Sequence, residues 1–215
     1  MPKINICEIF YSLQGESTFA GLPCIFIRLS GCNLDCSWCD TSYANTQYRS
    51  MSFDQILNQI KNYPCNMVEV TGGEPLHQKG TPSLISMLLE KNYHVLLETN
   101  GSISIKNIHS NCIKIIDIKC PSSNESDSFL FENLEYLTED DELKFVIADR
   151  RDYEFAKSMI ENRLTTVSQN KIHLSPVFGQ ITPEILAKWI LEDSLRARLS
   201  LQQHKIIWDP ETQGV

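Results

Sequence analysis

Between Pro23 and Leu191 the sequence switches repeatedly between short apolar, often β-branched runs and segments whose apolar residues fall at helical spacing. The strand-like runs are Pro23 to Leu29, Asn66 to Thr71, Tyr93 to Glu98, Ile113 to Ile118, Glu142 to Ala148 and Lys171 to Leu174. Between them, Ser52 stands as an N-cap before Phe53, Ile56, Leu57 and Ile60, and Thr81 to Asn92 carries Pro82 in its first turn. Phe129 to Leu137, Tyr153 to Arg163 and Pro183 to about Leu191, capped by Thr182, read as further helices. Strands separated by helices or crossovers imply a parallel sheet with right-handed connections. Six such repeats are too few to close an eight-fold barrel. The predicted fold is therefore α/β, a partial, open TIM-like barrel of about six βα units. An N-terminal strand, Lys3 to Tyr11 with Ile4, Ile6 and Ile9 on one side, precedes it, and a C-terminal tail follows. A length of 215 residues suits a single domain, 1–215.

In sheets of this kind functional groups gather at the carboxyl ends of the strands. Those ends carry the unusual residues here: the loop Gly31-Cys32-Asn33-Leu34-Asp35-Cys36-Ser37-Trp38-Cys39-Asp40-Thr41, then Thr71-Gly72-Gly73-Glu74-Pro75, Glu98-Thr99-Asn100, Lys119 and Ser175-Pro176. Their coincidence at one end is stronger than any one motif.

The bulk composition narrows the partners. Nineteen basic residues against 27 acidic ones leave a net charge of −8, which argues against a nucleic-acid footprint. An anionic ligand would have to meet local cations. Met1-Pro2-Lys3-Ile4-Asn5 leads straight into a strand pattern with no apolar leader, and no run is long enough to span a membrane. The chain is therefore expected in the cytoplasm, where thiols serve metals or chemistry rather than disulfides. Five of the eight cysteines, Cys7, Cys24, Cys65, Cys112 and Cys120, read as small buried hydrophobes.

The other three have C-x3-C-x2-C spacing. Structural zinc normally takes four ligands, usually as two separated pairs. Here only Asp40 or Cys120 could supply a fourth. A four-iron cluster on three thiolates instead leaves one iron open, and the spacing favours it.

Cys32-x3-Cys36-x2-Cys39, with Trp38 before the third cysteine, resembles the signature of radical S-adenosylmethionine enzymes. Gly72-Gly73-Glu74-Pro75, at the end of the following strand, is similar to that superfamily's second motif. Within it, Phe10-Tyr11-Ser12-Leu13-Gln14-Gly15-Glu16, Gly21-Leu22-Pro23, Arg28 and Asp40-Thr41 resemble the 7-carboxy-7-deazaguanine synthase family. The likeness runs from about Lys3 to the C-terminus, firmest up to Pro75 and loosest between Pro121 and Asp141.

The resemblance implies a [4Fe–4S] cluster on Cys32, Cys36 and Cys39, and S-adenosylmethionine on its free iron. A 5′-deoxyadenosyl radical would take a hydrogen from C6 of 6-carboxy-5,6,7,8-tetrahydropterin. The ring would then contract with loss of ammonia to 7-carboxy-7-deazaguanine, in queuosine and 7-deazapurine biosynthesis. No side chain is implied as catalytic acid or base. Thr41 would be a Mg2+ ligand; a turn or helix cap is its other reading. Substrate contacts are implied for Leu13, Gln14, Gly15, Glu16, Arg28 and Thr71, with His204 and the terminal Val215 as further candidates. S-adenosylmethionine contacts are implied for Gly73, Glu74, Glu98, Asn100, the turn Cys120-Pro121-Ser122 and Ser175-Pro176-Val177-Phe178. Lys144 points to the same end; it, Glu98 and Asn100 could equally serve the barrel rim. An external one-electron donor such as flavodoxin or ferredoxin, and a homodimer covering the open sheet edges, complete the expectation.

Two departures stand out: Ser17 replaces the glycine common after Gln-Gly-Glu, and Cys120-Pro121-Ser122 stands where relatives carry a Ser-Pro-Lys type turn. The alternatives are a glycyl-radical-enzyme activase, which shares the cysteine loop, and a non-catalytic zinc module.

Overall fold

The computed structural model describes residues 3–210 and 212–215. Met1 and Pro2, part of the leader reading, and Glu211 of the tail lie outside the described residues. The strands are β1 (Lys3–Leu13), β2 (Pro23–Leu29), β3 (Arg49–Ser52), β4 (Met67–Gly72), β5 (His94–Thr99), β6 (Ile113–Asp117), β7 (Glu142–Ile147), β8 (Ile172–Pro176) and β9 (Arg198–Leu199). They form one sheet in the order β3-β1-β2-β4-β5-β6-β7-β8-β9. From β2 to β9 every pairing is parallel, whereas β1 pairs antiparallel with both β2 and β3. Among the described residues no pairing joins β3 to β9, so the predicted partial barrel is open.

The helices are α1 (Phe53–Ile60), α2 (Thr81–Glu90), α3 (Arg150–Asn162), α4 (Pro183–Glu192) and the short α5 (His204–Ile207). Ser52 and Gln55 form a reciprocal capping box on α1, and the Thr182 side chain caps α4. Among the described residues no helix is long and apolar enough to cross a membrane.

Three features differ from the sequence reading. β3 and β9 have four and two residues, too few to show an alternating pattern. Phe129 to Leu137 is not an α-helix but a 3-10 turn over Phe131–Tyr136. Buried Asn133 explains the difference: its amide donates to Gly101 O (2.9 Å) and Ile103 O (3.1 Å), and its Oδ1 accepts from Ile105 N (3.0 Å). Those bonds tie the segment to the loop after β5 rather than to a helical ladder. Thirdly, β1 carries a bulge. Ile6 pairs with Leu29 but Glu8 with Arg28, which leaves Cys7 as the extra residue. The bulge reconciles Ile4, Ile6 and Ile9 on the core face, which strict alternation forbids.

The parallel strands β2 and β4 to β8 are largely buried on both faces, whereas both residues of β9 are exposed. The outer face, with Ile25, Ile27, Val68, Val70, Leu97, Phe145 and Leu174, packs on the helices through Ile56, Leu84, Leu88, Tyr153 and Leu186. Each such apolar side chain contributes about 1.5–3 kcal/mol when fully buried. The inner face is apolar at the strands' beginnings, where Cys24, Phe26, Met67, Leu96 and Ile115 cluster with Phe10 and Phe19. Further along it turns polar, with Arg28, Thr71, Glu98, Asp117 and Lys144. This change of chemistry places the site.

Candidate active site

The cysteine loop leaves β2 through Ser30 and Gly31. Ser30 Oγ and Gly31 N both donate to Ala44 O, at 2.7 and 3.0 Å, which closes the loop at its base. Its far side is held by the turn after β6. Ser37 N donates to Ser123 O (3.1 Å), Ser37 Oγ to Ser122 O (2.7 Å) and Trp38 Nε1 to Ser122 Oγ (3.1 Å). Ser122 is fixed in turn by Asp152, which accepts from its N (2.9 Å) and its hydroxyl and also from Ala148 N (2.9 Å). Lys119 lies 5.6 Å from the centre of the Trp38 ring.

The Gly72-Gly73-Glu74 turn docks on this loop. Glu74 N donates to Gly31 O at 2.9 Å, and a Cβ on Gly73 would stand 2.8 Å from Cys32 Cβ. The Glu74 carboxylate is fully buried and accepts from Leu76 N (2.8 Å), Thr99 Oγ1 (2.9 Å) and Asn100 N (2.7 Å). Asn100 then reaches the loop, with Nδ2 3.9 Å from Cys32 Sγ and 3.3 Å from Asn33 Oδ1. The Glu74 side chain thus pins two strand ends together, and the turn's glycine backbone is the part that faces the loop.

Beneath the loop the interior is a set of paired charges. Lys144 Nζ donates to Glu98 Oε1 (2.5 Å) and Glu16 Oε2 (2.8 Å) and lies 3.8 Å from Asp117 Oδ2. Lys119 pairs with Asp117 at 2.8 Å, Arg28 with Glu8 at 2.7 Å and Lys205 with Asp40 at 2.6 Å. Four cations thus stand among five carboxylates, so an anionic ligand would meet only the donor atoms that these pairs leave free. Burial opposes the charge on Lys144, yet Glu16, Glu98 and Asp117 hold its pKa well above the ordinary value. Burial would raise Glu98, but Lys144 brings it down.

Thr71 Oγ1 donates to Glu98 Oε2 at 3.2 Å. Gln14 is buried and engaged: Nε2 donates to Glu69, and Oε1 accepts from Glu16 N at 3.0 Å. Gly15 is required by a close approach, because a Cβ there would fall 2.2 Å from His204 Nδ1. The C-terminal segment closes the barrel's open side along this line. Gln203 N donates to Gly15 O (2.9 Å), and Gln202 Nε2 to Glu16 Oε1 (2.8 Å). Burial lowers the pKa of His204, with Glu16 opposing. Val215 ends farther out, in a cleft shared with Tyr11, Ser12, Leu13, Pro23 and Trp208.

Thr41 precedes a 3-10 turn, Ser42–Asn45, without capping it by its side chain, and its hydroxyl lies 3.8 Å from Cys39 Sγ. Cys120 is the residue the structure moves away from the site. It is fully buried among the helix-facing apolar residues with its Sγ 4.0 Å from Ile118 O, and burial pushes its thiol well up. Any contact from the Cys120-Pro121-Ser122 turn must come from its other atoms. Val177 is buried beside Val146, Ala148 and Trp38, whereas Phe178 is exposed.

The sequence reading did not single out Glu8, Glu69, Asp117 or Lys205. Glu69 is nearly inaccessible, and burial followed by repulsion from Glu98 raises its pKa well above the usual carboxylate range. An acidic residue inside the apolar run Met67-Val68-Glu69-Val70 was the signal available for it. Glu8 in Ile6-Cys7-Glu8-Ile9-Phe10 and Asp117 in Ile115-Ile116-Asp117-Ile118 carried the same signal, whereas Lys205 after Gln202-Gln203-His204 did not.

The donor set suits a radical-enzyme cofactor. All three loop cysteines are free thiols, and Leu34 N lies 3.4 Å from Cys32 Sγ. Among the described residues no three His, Cys, Asp or Glu side chains converge on a single metal ion, the three loop cysteines included. Buried Ser175 Oγ and Asp117 Oδ1 face the interior without a hydrogen-bond partner among the described residues, as polar groups awaiting a ligand would.

Comparison with known proteins agrees. Residues 26–119 match the Radical SAM superfamily. A 7-carboxy-7-deazaguanine synthase of Koribacter versatilis is 44% identical over 99% of this chain and 100% of its own length. One from Chlorobaculum tepidum is 43% identical, covering 99% and 97%. Among solved structures, QueE from Escherichia coli superposes with a TM-score of 0.75 at 26% identity, over 94% of this chain and 95% of that one.

Proposed function

The chain belongs to the 7-carboxy-7-deazaguanine synthase family of radical S-adenosylmethionine enzymes, and from that premise we propose that it converts 6-carboxy-5,6,7,8-tetrahydropterin to 7-carboxy-7-deazaguanine and ammonia. The observation that carries the reading is geometric. The cysteine loop, the Gly72-Gly73 turn and the paired charges of Glu16, Arg28, Glu98 and Lys144 gather at the carboxyl ends of the parallel strands. The relatives bear the synthase name and lend no support to the glycyl-radical activase alternative.

The family carries a [4Fe–4S] cluster and S-adenosylmethionine, which when bound supply one-electron cleavage and a hydrogen-abstracting radical. Cys32, Cys36 and Cys39 would hold the cluster, with the Leu34 and Asn100 N–H groups directed at the Cys32 sulfur. The backbone of Gly73, with Ser122 and the Ser175-Pro176-Val177 strand end, would hold S-adenosylmethionine. Glu74 and Asn100 position that backbone rather than reach the ligand through the Glu74 carboxylate.

The remaining residues serve the substrate. Arg28 offers its Nη groups to the pterin carboxylate. Glu16 and the Leu13-Gln14-Gly15 backbone, held by Gln14 and Glu69, would line the pterin edge with His204. Thr71 and Glu98 would flank it from the neighbouring strand ends. Thr41, its hydroxyl unused by capping, would ligate Mg2+ together with substrate oxygens, because Mg2+ prefers oxygen and keeps an incomplete protein shell. The C-terminal segment excludes water from the open side. A single domain over 1–215, an external one-electron donor, a cytoplasmic setting and a homodimer belong to the same proposal.

The test is anaerobic turnover of the pterin by the reconstituted enzyme, with and without Mg2+. Formation of the ring-contracted product, faster with Mg2+, is expected. If 5′-deoxyadenosine forms without that product, the substrate assignment fails.

A further inference from the structure

We propose that Glu8 is a positioning residue that sets the substrate-binding guanidinium and the Thr41 loop in register through one carboxylate oxygen. Resting on the functional reading above, it adds a residue to which no role has been given.

The bulge at Cys7 is the origin of the arrangement. Without it, Glu8 would share the helix-facing side of Ile4 and Ile6. With it, Ile9 returns to that side, and Glu8 sits directly across the β1–β2 pair from Arg28. Opposed residues of an antiparallel pair project to the same face, so the carboxylate meets the guanidinium inside the barrel.

Glu8 Oε1 then accepts two hydrogen bonds. Arg28 Nε donates at 2.7 Å and Tyr43 OH at 2.9 Å. Tyr43 stands two residues after Thr41, in the Ser42–Asn45 turn, and that turn is tied back to the cysteine loop through Ala44 O. Among the described residues no other carboxylate lies within ion-pair distance of Arg28. Glu8 therefore takes Nε and leaves the two Nη groups as the remaining donors. Phe10, on the same face, lies 5.9 Å from the guanidinium carbon and limits its swing.

A purely structural ion pair would hold β1 to β2 and affect stability alone. The shared oxygen predicts more, because both partners point to subsites of a single ligand. A glutamine keeps an acceptor oxygen that can serve Nε and the tyrosine together, whereas an alanine releases both.

The experiment is anaerobic calorimetry of 6-carboxytetrahydropterin binding to reconstituted protein, titrated with Mg2+, on the wild type and on Glu8→Ala, Glu8→Gln and Tyr43→Phe. A charge-assisted hydrogen bond is worth about 1.5–3 kcal/mol, so Glu8→Ala should bind the pterin roughly 10- to 100-fold more weakly. Glu8→Gln should stay within about threefold of wild type. Tyr43→Phe should leave binding without Mg2+ unchanged and raise the Mg2+ needed for half-maximal enhancement several-fold, on the loss of one neutral hydrogen bond. Wild-type affinity in Glu8→Ala, or a Glu8→Gln protein as weak as Glu8→Ala, overturns the proposal. Should Glu8→Ala not fold, Tyr43→Phe and Glu8→Gln decide it: unchanged Mg2+ dependence in the first, or weak binding in the second, overturns it. Failure of the wild type to bind the pterin would instead sink the functional reading.

Discussion

Gly73 and Cys32 are packed so closely that a Cβ on Gly73 would lie 2.8 Å from Cys32 Cβ and 2.5 Å from the Gly31 carbonyl oxygen. The second motif is thus a mould for the first, and its glycine is dictated by contact rather than by a special backbone angle. Gly73→Ala should push the cysteine loop out of place, because the nearest obstacle is backbone and cannot rotate away. The expected result is a protein with less than about half the wild-type iron and weak absorption near 400 nm, cluster retention needing all three ligands in place. Gly80→Ala, whose Cβ would meet only side-chain atoms at 3.7 Å or more, is the control and should load normally. Iron and sulfide analysis checks both.

The buried charges around Lys144 give a second expectation. Replacing it by methionine keeps the volume but leaves Glu16, Glu98 and Asp117 without their shared cation. Removing one partner of a buried ion pair costs about 3–5 kcal/mol, and denaturant unfolding of Lys144→Met should show a loss of that size. Adding Glu98→Gln should recover part of it. A strictly additive double variant would mean that the two do not interact in the folded protein.

Glu69 predicts a pH dependence. Its folded pKa is raised by burial and by repulsion from Glu98, whereas in the unfolded chain it titrates near the ordinary value of about 4.3. Above that value the unfolded state releases the proton first, so wild-type stability falls as pH rises through the window up to the folded pKa. Glu69→Gln removes the penalty and still accepts from Gln14. The variant should therefore gain on the wild type between about pH 4.5 and pH 8.5, each unit of pKa separation being worth about 1.4 kcal/mol. Thermal unfolding at both pH values measures the gap, and a gap that ignores pH would refute the burial argument.

Two cysteine replacements should behave oppositely. Cys120→Ala trims a side chain buried among apolar neighbours, which should cost about 1 kcal/mol and leave the iron content unchanged. Cys36→Ala removes a proposed cluster ligand and should abolish the brown colour with little loss of protein yield. Absorption spectra of the two reconstituted variants separate the outcomes.

Much of this protein was legible in the chain. Alternating runs and helical spacings located the six central parallel strands and the four main helices. The C-x3-C-x2-C loop and Gly72-Gly73-Glu74 announced the chemistry, because local motifs encode their own turn geometry. Ile9 even carried a trace of the bulge, an apolar residue out of phase with Ile4 and Ile6. What sequence could not show was who answers whom across the sheet. Glu8 with Arg28 and Tyr43, Lys144 with three carboxylates from two other strands and a loop, and His204 over Gly15 are pairings between residues distant in the chain. Register, curvature and the return of the C-terminal segment create them, and those are set by how whole elements pack. Cys120 shows the converse: the same turn that holds the cysteine loop through Ser122 sends the Cys120 thiol into the core, a difference of side-chain direction that only the folded backbone specifies. Local sequence determined the elements and the reactive loop; tertiary packing decided which charges share the space beneath it, since buried charges persist only where a partner has been brought within reach.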